Sequence, residues 1–224
     1  MRYNTFMNRT FLHNPLYIWL AFFISSALFI LYPQVDIYVS SLFFGDTFYL
    51  RGSFYERLFY RSVPIVVTIL ALGSIFTFIY NYFTKKNILG ICKKTIIYII
   101  LVLALAPGLI VNSLLKEEWG RARPMDIVEF GSTKTFTPAF ILSDQGGNSF
   151  SSGHGAAAFS VLGFALLARK RKNLWITLAL FYGVAVSFAR IIGGGHFLSD
   201  NITSFFIVYI TTYALYGYII KNKT

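Results

Sequence analysis

The chain has 224 residues, 56% of them hydrophobic and 13% charged, with a formal net charge of +11. An average soluble domain is about one quarter charged, so this composition excludes an ordinary water-soluble fold, and the length leaves room for one domain over 1–224. A single cysteine, Cys92, excludes an internal disulfide, and no Cys/His cluster has the spacing of a structural zinc site.

The apolar residues gather in blocks long enough to cross a hydrocarbon layer as helices. Taken in chain order, they predict spans at 15–32, 62–83, 95–115, 151–168, 174–189 and 201–220. The expected fold is therefore all-α: a polytopic membrane protein with six transmembrane helices in a bundle. The first block follows Arg2 and Arg9, as a signal peptide would, but residues 32–36 (Tyr-Pro-Gln-Val-Asp) offer no small-residue cleavage site. It reads as an uncleaved anchor. The fourth and fifth blocks are short and rich in Gly, Ala and Ser, which suits helices packed closely at the centre of a bundle.

With the N-terminus cytoplasmic, six spans return the C-terminus to the same side. Twelve basic residues then lie inside: Arg2, Arg9, Lys85, Lys86, Lys93, Lys94, Arg169, Lys170, Arg171, Lys172, Lys221 and Lys223. All nine acids fall outside, in segments near 33–61 and 116–150 and a short turn near 190–200. The positive-inside rule thus accounts for the basic balance without a nucleic-acid partner.

Ionisable side chains at helix ends in a membrane are costly and mark function. Lys116, Arg123, His154, Arg190, His196 and Asp200 all fall at outward-facing ends, whereas the third histidine, His13, lies near the inner end of the first span. Lys116 and Arg123 are suited to an anionic ligand, although basic residues at a span end also snorkel to headgroups. The turn Ser149-Phe150-Ser151-Ser152-Gly153-His154-Gly155 leads into an apolar run and reads as a helix N-terminus, which is either a phosphate cradle or a simple serine cap. In Arg190-Ile-Ile-Gly-Gly-Gly-His196-Phe-Leu-Ser-Asp200 the glycines admit a ligand close to the backbone. The spacing of His196 and Asp200 lets the carboxylate hold one ring N–H and leave the other nitrogen free to attack; the alternative is a structural ion pair.

In this order and with these gaps the three clusters resemble the type-2 phosphatidic acid phosphatase superfamily, the lipid phosphate phosphatases, which shares its site with vanadium haloperoxidases. Lys, six residues, Arg-Pro is met by Lys116, Arg123 and Pro124. Arg, five residues, His, three residues, Asp is met by Arg190, His196 and Asp200. Ser152, Gly153 and His154 match the second motif, with Ser151 in place of proline, and Ala189 stands where the third motif usually begins with serine. The resemblance implies that His196 attacks phosphorus to form a phosphohistidine supported by Asp200, and that His154 protonates the leaving oxygen and then activates water. It also implies that Lys116, Arg123, Arg190, Ser152 and the Gly153 N–H surround the phosphoryl oxygens, with no metal and no other cofactor.

Residues 120–130, Phe136-Thr-Pro-Ala-Phe140, 146–150, Pro33-Gln-Val-Asp-Ile37 and Tyr60-Arg-Ser-Val-Pro64 look most like the branch containing lipid A 4′-phosphatases. That likeness implies a phosphorylated membrane lipid as partner and substrate, a site on the periplasmic face of a bacterial inner membrane, and no obligate protein partner. Undecaprenyl diphosphate and phosphatidylglycerophosphate are alternative substrates; an anion-binding transporter or an inactive homologue is the alternative from another class. Residues 125–145 read either as a lid over the headgroup or as a plain surface connection.

Overall fold

The computed structural model describes residues 9–221, so Arg2 and Lys223 of the charge argument lie outside the described residues. The chain is mostly helical. A short antiparallel pair, β1 (Thr10–Phe11) with β2 (Asn14–Pro15), leads into α1 (Leu16–Leu31). A proline disfavours the helical region for the residue before it. Tyr32, before Pro33, accordingly leaves that region, and α2 (Gln34–Ser41) departs from α1 at 85°. One face of α2 buries Asp36 and Ser40 while Tyr38 stays exposed.

Helix α3 (Phe54–Thr84) starts well before the expected boundary at residue 62. Its N-terminus is set by a reciprocal cap: the Ser53 hydroxyl accepts from Glu56 N, and the Glu56 carboxylate accepts from Gly52 N. Glu56, Arg57, Tyr60 and Arg61 therefore belong to a rigid helix and not to an irregular outer segment. At the other end Asn81 closes the following turn, donating to the Ile88 and Ile91 carbonyls and accepting from Ile88 N.

Helix α4 (Lys93–Leu103) continues through a wider-turned stretch, Ala104–Lys116, that contains Pro107. Proline removes one helical donor and crowds the preceding turn, which widening relieves. Asn112 donates to the Pro107 carbonyl at 2.7 Å. After a long ordered connection come α5 (Gly153–Phe159), α6 (Val161–Leu166), α7 (Lys172–Ile192) and α8 (Leu198–Leu215), the last extended by wide turns over Tyr216–Lys221.

Among the described residues four helical stretches are long and apolar enough to cross a membrane: Phe54–Thr84, Lys93–Lys116, Lys172–Ile192 and Leu198–Lys221. The bent pair α1–α2 passes the same test when taken together. The fourth expected span is shorter than a full crossing. Gly153–Leu166 reaches about 21 Å at 1.5 Å per residue, less than a hydrocarbon core of about 30 Å.

Small residues explain its central place. Helix α5 packs against α3, α7, α8 and the wide-turned stretch, and Gly153, Gly155, Ala156 and Ala158 are all buried. At Gly183 on α7 an added Cβ would overlap the Phe159 ring, so glycine there forms the notch that receives α5. The expected result for Gly183→Val is a loss of about 1–3 kcal/mol, seen as a lower thermal midpoint in detergent. A further substitution Phe159→Leu is expected to return part of that loss.

Candidate active site

Five chain segments converge at one end of the bundle: the start of α3, the end of the wide-turned stretch, the start of α5, the end of α7 and the start of α8. Each carries a polar group that its local structure fixes. The glycine turn after α7 brings Arg190 and His196 together. Gly194 adopts φ +66, and a Cβ at Gly195 would overlap the Arg190 guanidinium, so the side chain folds back over the bare backbone. Arg190 meets Glu56 at 3.5 Å and lies 4.8 Å over the Tyr60 ring. Tyr60 also stacks on His154, with centroids 4.2 Å apart and planes 19° from parallel. One aromatic side chain therefore contacts both the Arg190 guanidinium and the His154 ring.

Lys116 and Arg123 come close enough to Arg190 for the three cations to repel one another, a strain that an anion between them would relieve. Helix α5 starts beside them. The Ser152 hydroxyl accepts from Gly155 N at 3.2 Å, so Ser152 caps this helix whatever else its hydroxyl proton does. Gly153 is the first residue of the helix, where backbone N–H groups have no intrahelical acceptor. A Cβ at Gly153 would crowd Asn112 Oδ1.

His196 is almost completely buried, and its Nδ1 lies 2.7 Å from the Ser149 carbonyl oxygen. A carbonyl only accepts, so Nδ1 carries the proton and Nε2 keeps its lone pair for attack. This differs from the arrangement expected from the His/Asp spacing. Asp200 is 3.6 Å from Nδ1, beyond a good hydrogen bond, because other donors take its oxygens. Ser149 Oγ and Phe197 N donate to Oδ2, and the buried Arg121 donates to Oδ1. Asp200 thus acts on the ring through its charge and through Ser149, which it shares with the ring as a partner.

Burial pushes the His196 pKa below the ordinary imidazole range, against the opposing pull of Asp200. A depressed pKa keeps Nε2 free on the acid side of the usual value, which the nucleophilic role implied by the resemblance would require. The acid limb that His196 imposes on the kcat/KM profile is therefore expected below about pH 6.5. Folding stability follows the same sign. The unfolded histidine takes up a proton below about pH 6.5 and the folded one does not, so stability falls as the pH drops from there towards the folded value. An acid limb at or above pH 6.5 that vanishes in a His196 variant would contradict this.

A cavity of about 300 Å³ opens beside these groups between α3, the wide-turned stretch and α5. Lys116 and His154 lie at its polar part, and Val63, Val67 and Ala157 supply its apolar wall. Part of the segment 125–145 is packed against the site, while Val128, Ile141 and Leu142 are exposed. Ile127 and Phe130 are buried with Phe48 and Phe197, and Met125 N donates to Gly194 O in the His196 turn. Among the described residues no three His, Cys, Asp or Glu side chains gather in a way that could hold a metal ion. His13 is remote from the cluster and packs edge-on against Tyr218 at the far end of α8.

The expected residues Lys116, Arg123, Ser152, Gly153, His154, Arg190, His196 and Asp200 therefore share one neighbourhood. Sequence reasoning gave no role to Asp36, Glu56, Tyr60, Arg121 or Ser149. Asp36, Tyr60 and Arg121 do fall inside stretches that carried the resemblance, and Ser53-x-x-Glu56 is a readable capping signal.

Comparison with known proteins agrees with the geometry. A family profile described as PAP2 superfamily matches residues 97–224. The chain belongs to the PAP2 superfamily. Among curated proteins, the chain is similar to the lipid A 4′-phosphatase of Francisella tularensis subsp. novicida, with 30% identity over 87% of this chain and 90% of that protein. It is also similar to the lipid A 4′-phosphatases of Rhizobium leguminosarum and Rhizobium etli. Those two are 29% and 28% identical, each over 78% of this chain and over 82% and 75% of their own lengths. No solved structure matches. As a PAP2 superfamily member with these relatives, the chain is a phosphatase, a hydrolase of phosphoric monoesters.

Proposed function

We propose that this phosphatase removes the 4′-phosphate of lipid A, without a metal ion, by way of a phosphohistidine on His196. The observation that carries a lipid substrate is the cavity in which Lys116 and His154 adjoin the apolar side chains Val63, Val67 and Ala157. A phosphoryl group would sit among the cations while an acyl chain follows the apolar wall. The choice of lipid A rests on the curated relatives, which cover 87% and 78% of this chain.

In this reading Nε2 of His196 attacks phosphorus, the P–O ester bond breaks, and His154 gives a proton to the departing oxygen. His154 then takes a proton from water, which attacks the phosphohistidine and frees inorganic phosphate. Lys116, Arg123, Arg190 and the N-terminal N–H groups of α5 supply the electrostatic stabilisation that metal ions give in other phosphatases. Six spans are read, with the Gly153–Leu166 helical stretch counted as one, both termini cytoplasmic and the site at the periplasmic face of a bacterial inner membrane. The support for this orientation is the separation of twelve basic residues from all nine acids.

The test is phosphate release by purified protein in detergent containing EDTA, on lipid A, undecaprenyl diphosphate and phosphatidylglycerophosphate, with mass spectrometry of the lipid A product. Loss of the 4′-phosphate is the expected result. Preference for another lipid replaces the substrate, a strict metal requirement overturns the mechanism, and no turnover on any of the three favours an anion-binding role.

A further inference from the structure

Behind the reacting groups lies a row of three charges, all completely buried. Arg121 sits between two carboxylates, 2.8 Å from Asp36 of α2 and 2.5 Å from Asp200 of α8. Its Nη1 also donates to Ser199 Oγ and its Nε to the Thr137 carbonyl, while Phe197 covers its face at 4.3 Å. The hydrogen-bond partners of Asp36 are all donors: Arg121 Nη2, Ser199 N and the Ser199 hydroxyl. Three convergent donors favour the ionised carboxylate, against burial and the charge of Asp200, which push its pKa up. One guanidinium against two carboxylates leaves one uncompensated negative charge. A lone arginine–aspartate pair would need no second acid, and burying an unbalanced charge is costly.

The balance comes from His196. Its Nδ1 proton is held by the Ser149 carbonyl, which cannot take the proton away. When Nε2 forms its bond to phosphorus and the ester P–O bond breaks, the ring keeps the Nδ1 proton and becomes cationic. We infer that Asp36 and Arg121 are positioning residues that give the buried row a net charge of −1, which is neutralised only as His196 becomes a phosphohistidine. This inference rests on the phosphohistidine reading above. Asp36 draws on part of the Arg121 charge and so leaves Asp200 a stronger field at the ring. That interaction is greater in the transition state than in the free enzyme, which is the condition for raising kcat without tightening substrate binding.

The experiment compares wild type, Asp36→Asn, Arg121→Gln with Asp36→Asn, and Ser199→Ala on whichever lipid the wild type turns over. Inorganic phosphate serves as a competitive probe of the cation pocket. Asp36→Asn is expected to lower kcat by at least about tenfold, an effect that one unit charge exerts out to about 12 Å in a medium of effective dielectric near 20. KM and inhibition by inorganic phosphate should change less than about threefold, because Asp36 does not touch substrate. The double variant returns the row to −1 and is expected to regain activity relative to Asp36→Asn. Ser199→Ala removes two hydrogen bonds but no charge, and should lose far less than Asp36→Asn.

A double variant no better than Asp36→Asn, or Ser199→Ala as damaging as Asp36→Asn, would overturn the charge argument and leave a purely structural row. So would wild-type kcat in Asp36→Asn. If Asp36→Asn is not monodisperse in detergent, Asp36→Glu decides: it keeps the charge and is expected to hold kcat within about threefold, and a larger loss with normal folding sinks the inference. A wild type without His196-dependent turnover would instead remove the phosphohistidine reading itself.

Discussion

Replacing His196 with alanine is expected to lower phosphate release by at least about 10³-fold, with little change in membrane insertion. The reasoning is geometric. The Nδ1 proton is fixed on the Ser149 carbonyl, so Nε2 is the His196 nitrogen free to attack. His154→Ala should cost about 10²- to 10⁴-fold, the range for a general acid–base group, and should cost least with a substrate whose leaving group needs no proton. Stacking on Tyr60 fixes this imidazole, so Tyr60→Ala should lower kcat as well and Tyr60→Phe should preserve most of it. His13→Ala is the control, since His13 packs on Tyr218 far from the cations. Equal losses at all three histidines, with normal folding of the variants, would mean that phosphate release does not run through this cluster.

The largest expected loss of stability is at Arg121. Arg121→Met leaves Asp36 and Asp200 buried without their shared cation, and removing one partner from a buried ionic group costs about 3–5 kcal/mol. The variant should show a sharply lower thermal midpoint in detergent. Met at 121 combined with Asp36→Leu and Asp200→Asn removes the charges altogether and should recover part of the stability while remaining inactive. A midpoint unchanged in Arg121→Met would show that water reaches the carboxylates and that the row is not the tight element described above.

How far the sequence could be read follows from the range over which each signal acts. Lys116, Arg123, His154, Arg190, His196 and Asp200 were legible because each sits in a short motif at a helix end, where chain chemistry alone requires explanation. The small residues of 151–168 correctly marked a central helix, since Gly183 and Phe159 need that close approach. Asp36 and Arg121 were not given roles because what pairs them is tertiary: residues 36, 121 and 200 meet only after folding. By hydropathy Tyr60 and Glu56 fall in an outer segment because the apolar run begins near residue 62, although the cap at Ser53 starts the helix earlier. Competition for Asp200 by Arg121 and Ser149 likewise has no local signature, so the His/Asp spacing suggests a direct bond that the structure gives to Ser149.

The buried row also bears on the order in which the protein is completed. Its acids and its guanidinium come from the first, middle and last thirds of the chain, and Ser199, which holds Asp36, lies 163 positions after it. Separate apolar helices can enter a bilayer as they are made and associate afterwards. A chain still lacking α8 would have Asp36 and Arg121 but neither Ser199 to hold the first nor Asp200 to share the second. His196, the proposed nucleophile, and Asp200 therefore arrive together with α8, so a partly synthesised chain already in the membrane lacks the assembled pair.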